Sequence, residues 1–171
     1  MAIKYPQRLS SLILLETSAD AEDPANIPKY TKLIGAIKWL GVKRLGKKIM
    51  PILFGQSFLK DKSRKAEYKQ WLGYLNQNDR IGAVRATKGV IERQGTYDKL
   101  SLIKTPTLII VGDEDVATPY KKAQRLHFAV AGSKLAVIKG AGHSSTVETP
   151  KQVNDVIEQF LNDSQGLDNA S

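Results

Sequence analysis

Thr107-Leu-Ile-Ile-Val-Gly-Asp-Glu-Asp115 and Leu135-Ala-Val-Ile-Lys-Gly-Ala-Gly-His143 are the two stretches from which the fold is read. Each is a short apolar run that stops at glycine and delivers a titratable side chain, and one helical pattern lies between them. In a parallel α/β sheet, reactive groups collect on the loops that leave the carboxyl ends of the strands. Asp115 and His143 are therefore expected to meet across neighbouring strands.

Outward from these two runs, the same alternation continues. Pro106 restricts Thr105 to an extended conformation ahead of the first run. After it, Thr118-Pro119 has the form of a helix N-cap followed by proline at the first helical position, and Gly132 is placed to end that helix near Ala131. Lys134 to Lys139 is the next strand. A last helix opens at Thr149-Pro-Lys-Gln152, a capping-box spacing, and buries Val153, Ile157, Phe160 and Leu161 before a polar tail expected to fray. Upstream, Ser11-Leu-Ile-Leu-Leu15 reads as a strand buried on both faces, with a short helical piece as the alternative. Ala2 to Pro6 reads as the last turn of a helix, because proline and the restriction on its predecessor close one.

Between Ile27 and Arg93 the pattern is helical. Tyr30, Leu33, Ile34, Ile37, Leu40 and Leu45 follow one helical period, and Ile49, Leu53 and Phe54 belong to a second piece that Pro51 kinks or starts. Tyr68, Trp71, Leu72 and Leu75 share a third face; Ile81, Val84 and Ile91 share a fourth. Trp39 and Trp71 are expected to pack within this segment, and either is a candidate to line a substrate pocket.

The 171 residues are 42% hydrophobic, enough for one respectable core. Cysteine is absent, which excludes a disulfide framework, a thiolate metal site and a cysteine nucleophile, and suits a cytoplasmic location. The N-terminal residues lack the apolar core of a signal peptide, and no apolar run approaches the roughly 18 residues of a membrane span. The net charge of +9 is local. Twelve Lys/Arg lie between Lys29 and Lys69 against Asp61 and Glu67, whereas the remainder carries 14 basic and 15 acidic residues. No Gly-rich phosphate loop, metal-ligand cluster or nucleic-acid motif accompanies that charge, so no cofactor, no metal and no nucleic acid is expected.

Ile103-Lys-Thr-Pro-Thr-Leu-Ile-Ile-Val-Gly112-Asp-Glu-Asp115-Val-Ala-Thr-Pro119 and Gly140-Ala-Gly-His143-Ser-Ser-Thr-Val-Glu148-Thr-Pro150 resemble the acid and histidine motifs of the α/β-hydrolase superfamily, in the family's order and spacing. The text around His143 is most similar to enol-lactonase-like and haloperoxidase-like members. The resemblance implies the C-terminal part of an α/β-hydrolase fold, about three parallel strands with flanking helices. Residues 1–26 and 94–171 would form the core, and residues 27–93 a helical cap insertion.

It also implies a serine hydrolase of the ester-bond or carbon–carbon-bond class. His143 would take the proton of a serine, and Asp115 would fix the imidazole tautomer. Asp115 is chosen over Asp113 and Glu114 because it fills the Gly-x-x-Asp spacing after Gly112. The nucleophile is the part not found. The family's Gly-x-Ser-x-Gly turn would be expected about 11 to 14 residues ahead of Met1, and Gly55-Gln-Ser57-Phe-Leu59 fails as a substitute on its last residue. Ser144 and Ser145 follow the histidine and are expected to bond a tight turn's backbone; His127 is expected to be solvent-facing or locally bonded.

The expected chemistry is hydrolysis of a small ester, lactone or related carbonyl compound, with the chain inactive by itself. Two alternatives stand beside it. One is a non-catalytic remnant or partner-dependent subunit, whose open sheet edge at Ser11 to Leu15 pairs with a missing N-terminal half or a second copy. The other is a basic cap that binds phosphate-rich partners.

Overall fold

The computed structural model describes residues 1–168. Strand β1 (Leu12–Leu15) is followed by five helices: α1 (Ile27–Leu40), α2 (Val42–Leu53), α3 (Gln56–Lys60), α4 (Lys65–Asn76) and α5 (Arg80–Glu92). Then come β2 (Thr107–Gly112), α6 (Tyr120–Ala129), β3 (Lys134–Ile138), the single turn α7 (Ser145–Glu148) and α8 (Pro150–Asp168). The strands form one parallel sheet in the order β1-β2-β3, with Leu14 opposite Ile109 and Ile109 opposite Leu135.

Alternation along β2 divides the core. Ile109 and Val111 face Ala123, Leu126 and Val130 beside α6, whereas Leu108 and Ile110 face Val153 and Phe160 of α8. Helices on both faces bury every residue of β2, which is why its sequence is an unbroken apolar run. β1 differs from expectation. All four of its residues are only half-buried, because β1 is an edge of the sheet among the described residues. The N–H groups of Leu12 and Glu16 point to β2, so the backbone groups of Ile13 and Leu15 point to the open side.

The helical segment folds on two small cores of its own. Ile34, Ile37, Val42, Leu45 and Val84 join α1, α2 and α5; Met50, Phe54 and Phe58 pack with Trp71 and Val147. The single helix expected through Leu45 is two helices. Gly41 adopts φ +75° and ψ 165°, which ends α1 and turns the chain into α2. α2 runs through Pro51 and stops two residues later, since that proline falls in the last turn.

Two expected caps are absent because their side chains have other partners. Helix α6 begins at Tyr120, and the Thr118 hydroxyl donates to Asp115 instead of capping it. Gln152 reaches across to the backbone N–H and carbonyl of Lys139, so the capping box at Thr149 does not close. The expected last turn before Pro6 is present as a backbone bond from Tyr5 N–H to Met1 O. α8 is helical to Asp168, and the end of the polar tail, 169–171, lies outside the described residues. Among the described residues no helix is long and apolar enough to cross a membrane.

Candidate active site

β2 and β3 end side by side, and the loops beyond them are stitched together. Asp113 N–H donates to Ile138 O at 3.0 Å, and Glu114 N–H donates to Ala141 O at 2.9 Å. This pairing brings Asp115, one residue further on, against His143. Nδ1 of His143 lies 2.9 Å from Oδ2 of Asp115, whose side chain is fully buried, while the imidazole stays 30% exposed.

Asp115 is held as a carboxylate by the turn it sits in. It accepts from the N–H of Ala117 at 2.8 Å, the N–H of Thr118 at 2.9 Å and the Thr118 hydroxyl at 2.7 Å. Burial alone would raise this carboxyl, but the bonds from His143 and Thr118 outweigh it and hold the acid below its usual range. A carboxylate only accepts, so Nδ1 carries the proton and Nε2 is left as the basic nitrogen. The bond to Asp115 raises the His143 imidazole above its ordinary value against the opposing effect of burial, and the negative charges of Asp115, Glu16 and Glu148 add to the rise.

The other two carboxylates of the Gly112 loop are structural. Asp113 accepts from Gly140 N–H and pairs with Lys139; Glu114 accepts from the N–H of Ser57 at 2.7 Å and its hydroxyl at 2.5 Å. Ser57 is thereby engaged away from His143. Thr118 Oγ1 is 3.3 Å from the imidazole, but it faces Nδ1, the nitrogen that already donates to Asp115. Among the described residues no serine hydroxyl bonds to His143, and no cluster of side chains suits a metal ion.

Two acids that sequence reading passed over complete the site. Glu148 is 3% exposed and gathers the N–H groups of Gly55 at 2.7 Å, Gly142 at 2.9 Å and Ser144 at 3.2 Å. Burial nevertheless raises its carboxyl above the ordinary value. Gly142 is required by this approach, because a Cβ there would run into the backbone of Phe54 and Gly55.

Glu16, the first residue after β1, is the one non-glycine residue of positive φ (40°) among those described. It accepts a short hydrogen bond from Ser145, whose side chain is fully buried; Ser145 was expected to bond backbone. Burial pushes the Glu16 carboxyl up to about 7, against the pull of Ser145 and His143, with repulsion from Asp115 and Glu148 adding to the rise. A charged residue directly after an apolar strand was the available signal.

The two tryptophans part company. Trp39 is 85% exposed and lines no part of the site, so it is neither packed nor a pocket wall. Trp71 stacks obliquely on Phe54 and edge-on to Tyr74, and with Leu53, Leu75 and Ser144 it walls a cavity of about 390 Å³ beside the histidine loop. His127 is locally bonded, with Nδ1 2.9 Å from the Ser133 hydroxyl.

Comparison with known proteins bears on the same residues. The TAP-like protein family, an α/β-hydrolase family, matches residues 83–168, half of the chain. RutD of Rhizobium rhizogenes is 25% identical over 167 residues, covering 94% of this chain and 61% of that protein. A thermophilic esterase from Thermogutta terrifontis superposes with a TM-score of 0.82 at 24% identity, over 95% of this chain and 59% of the esterase. The enol-lactonase from Burkholderia xenovorans LB400 superposes equally well, TM-score 0.82 at 19% identity, over 94% of this chain and 59% of the lactonase. The chain thus spans about three fifths of the length of these relatives and corresponds to their C-terminal portion. With three parallel strands, flanking helices and these matches, the chain belongs to the α/β-hydrolase superfamily.

Proposed function

We propose that Asp115 and His143 are the acid and the general base of a Ser-His-Asp triad that hydrolyses small esters or lactones. The observation that carries this is the 2.9 Å contact between His143 Nδ1 and a buried Asp115 carboxylate that four hydrogen bonds keep ionised. That arrangement fixes the tautomer that leaves Nε2 basic and stabilises the imidazolium formed when a serine proton is taken. In this reading the nucleophilic serine and both N–H donors of the oxyanion hole come from the two fifths of the relatives' length that this chain does not span.

Helices α1 to α5 act as a cap over the strand ends. The cavity walled by Trp71, Phe54 and Ser144 is mostly apolar and suits a small acyl or lactone ring. Names of the neighbours, an esterase and an enol-lactonase, support carbonyl-ester chemistry, and the substrate itself is set by the cap.

The test is made on a protein in which this chain follows a strand and a Gly-x-Ser-x-Gly turn. With p-nitrophenyl acetate and a γ-lactone as substrates, His143→Ala is expected to lower kcat by about 10⁴-fold or more while the fold is kept. Full esterase activity in that variant refutes the proposal.

A further inference from the structure

The basic charge of the helical segment is gathered around a hollow. Lys47 of α2, Lys60 at the end of α3, Lys62, and Lys65 and Lys69 of α4 surround a cavity of about 830 Å³, the size of a site for a cofactor-sized molecule. The rest of its wall is made by Leu59, Tyr68 and Leu72, which are apolar or aromatic, and by the carboxylate of Asp61. On α4, positions 65, 68, 69 and 72 form one face at helical spacing, while Trp71, Tyr74, Leu75 and Asn78 line the separate cavity beside His143.

The five ammonium groups face a single carboxylate in the wall, Asp61, so the hollow keeps a positive excess. Only Asp61 and Glu67 lie in this part of the sequence. Asp61 is taken by the N–H and hydroxyl of Ser63, and Glu67 is taken by a two-pronged contact from Arg64. None of the five lysines belongs to an ion pair within 4 Å among the described residues. Like charges brought together around an apolar-floored hollow are relieved by an anion of matching reach, and a single monovalent ion neutralises too little of them.

We propose that this cavity binds a small organic polyphosphate: a pyrophosphate-type group against the lysines, and an aromatic or acyl body against Leu59, Tyr68 and Leu72. The site is distinct from the Asp115–His143 pair and stands or falls independently of the hydrolytic function.

Isothermal titration of the chain with ADP, pyrophosphate, inorganic phosphate and adenosine tests it. ADP is expected to bind at one site per chain, tighter than pyrophosphate, with phosphate and adenosine at least tenfold weaker than ADP. Lys65→Gln with Lys69→Gln should weaken ADP at least tenfold, Lys88→Gln on the exposed face of α5 should not, and raising the salt should weaken binding throughout. The proposal is overturned by no saturable heat with ADP up to about 1 mM at low salt. It is also overturned if Lys88→Gln weakens ADP as much as the double variant, which would mean diffuse charge. Binding to phosphatidylserine vesicles or to RNA without binding to ADP overturns it as well.

Discussion

Replacing Glu16 by glutamine isolates the most displaced proton in the site. Glutamine keeps an acceptor for the Ser145 hydroxyl and removes only the charge. Burial lifts the Glu16 carboxyl from 4.5 to about 7, so between those values the unfolded chain gives up a proton that the folded chain retains. The folded state then binds more protons, and stability falls as pH rises through this window. At about 1.36 kcal/mol per unit, with a reduction for solvent screening of a half-buried group, the loss attributable to Glu16 is about 2 to 3 kcal/mol.

His143 contributes in the same direction, because its raised imidazole gives stability that is present below 6.5 and lost as pH rises through the folded value. The variant separates the two. Urea unfolding followed by circular dichroism at pH 5, 6, 7 and 8 should find E16Q close to the parent at pH 5 and about 2 to 3 kcal/mol more stable at pH 8, with the residual slope belonging to His143 and the raised Glu148 carboxyl. Parallel curves for parent and variant, agreeing within about 0.5 kcal/mol at every pH, would show that Glu16 carries no displaced proton and that the electrostatic description of the site is wrong.

Asp115→Asn removes the carboxylate that raises His143, so the imidazole pKa read by NMR should fall; an unchanged value would break the pairing. In a complete enzyme the same change should lower kcat by about 10⁴-fold, through the wrong tautomer. Gly142→Ala puts a Cβ into the Gly55 backbone, and a loss of about 1 to 3 kcal/mol is expected in the urea midpoint; a loss below that range means the two loops part easily. The half-buried edge of β1 predicts that the chain self-associates at micromolar concentration, and that Leu14→Lys shifts it toward monomer by sedimentation velocity; a monodisperse parent contradicts this.

The strands and the Asp115–His143 pair were legible because each is written in a few adjacent residues. An apolar run stopped by Gly112 or Gly140 is a local signal, and the parallel order of the strands then brings the two loops together. What was not legible depended on competition between partners. Thr118 has the residue type of an N-cap, yet a buried carboxylate three residues earlier is the better acceptor for its hydroxyl. Gln152 has the capping-box position, yet the end of β3 lies within its reach. The break at Gly41 is hidden in an apolar periodicity that continues on both sides of it, since the pattern records which residues are buried and not where the backbone turns. Trp39 resembles Trp71 in composition of its surroundings, and only the packing of α4 on Phe54 distinguishes them.

Glu148 ties the helical segment to the loop that carries His143. Its buried carboxylate takes one N–H from Gly55, at the start of α3, and two from the loop that carries His143. Arg64, at the start of α4, donates to the carbonyls of Val147 and Glu148, and Glu114 holds Ser57 of α3 from the Asp115 loop. The contacts made by Gly55, Ser57 and Arg64 each join the helical segment to a residue within a few positions of Asp115 or His143. Unpairing a buried carboxylate from three donors is expensive, so these links resist separate movement of the two parts. The wall at Trp71 is therefore positioned by the same network that positions His143. A change in how the helices pack should alter the reactivity of His143 as well as the shape of the cavity.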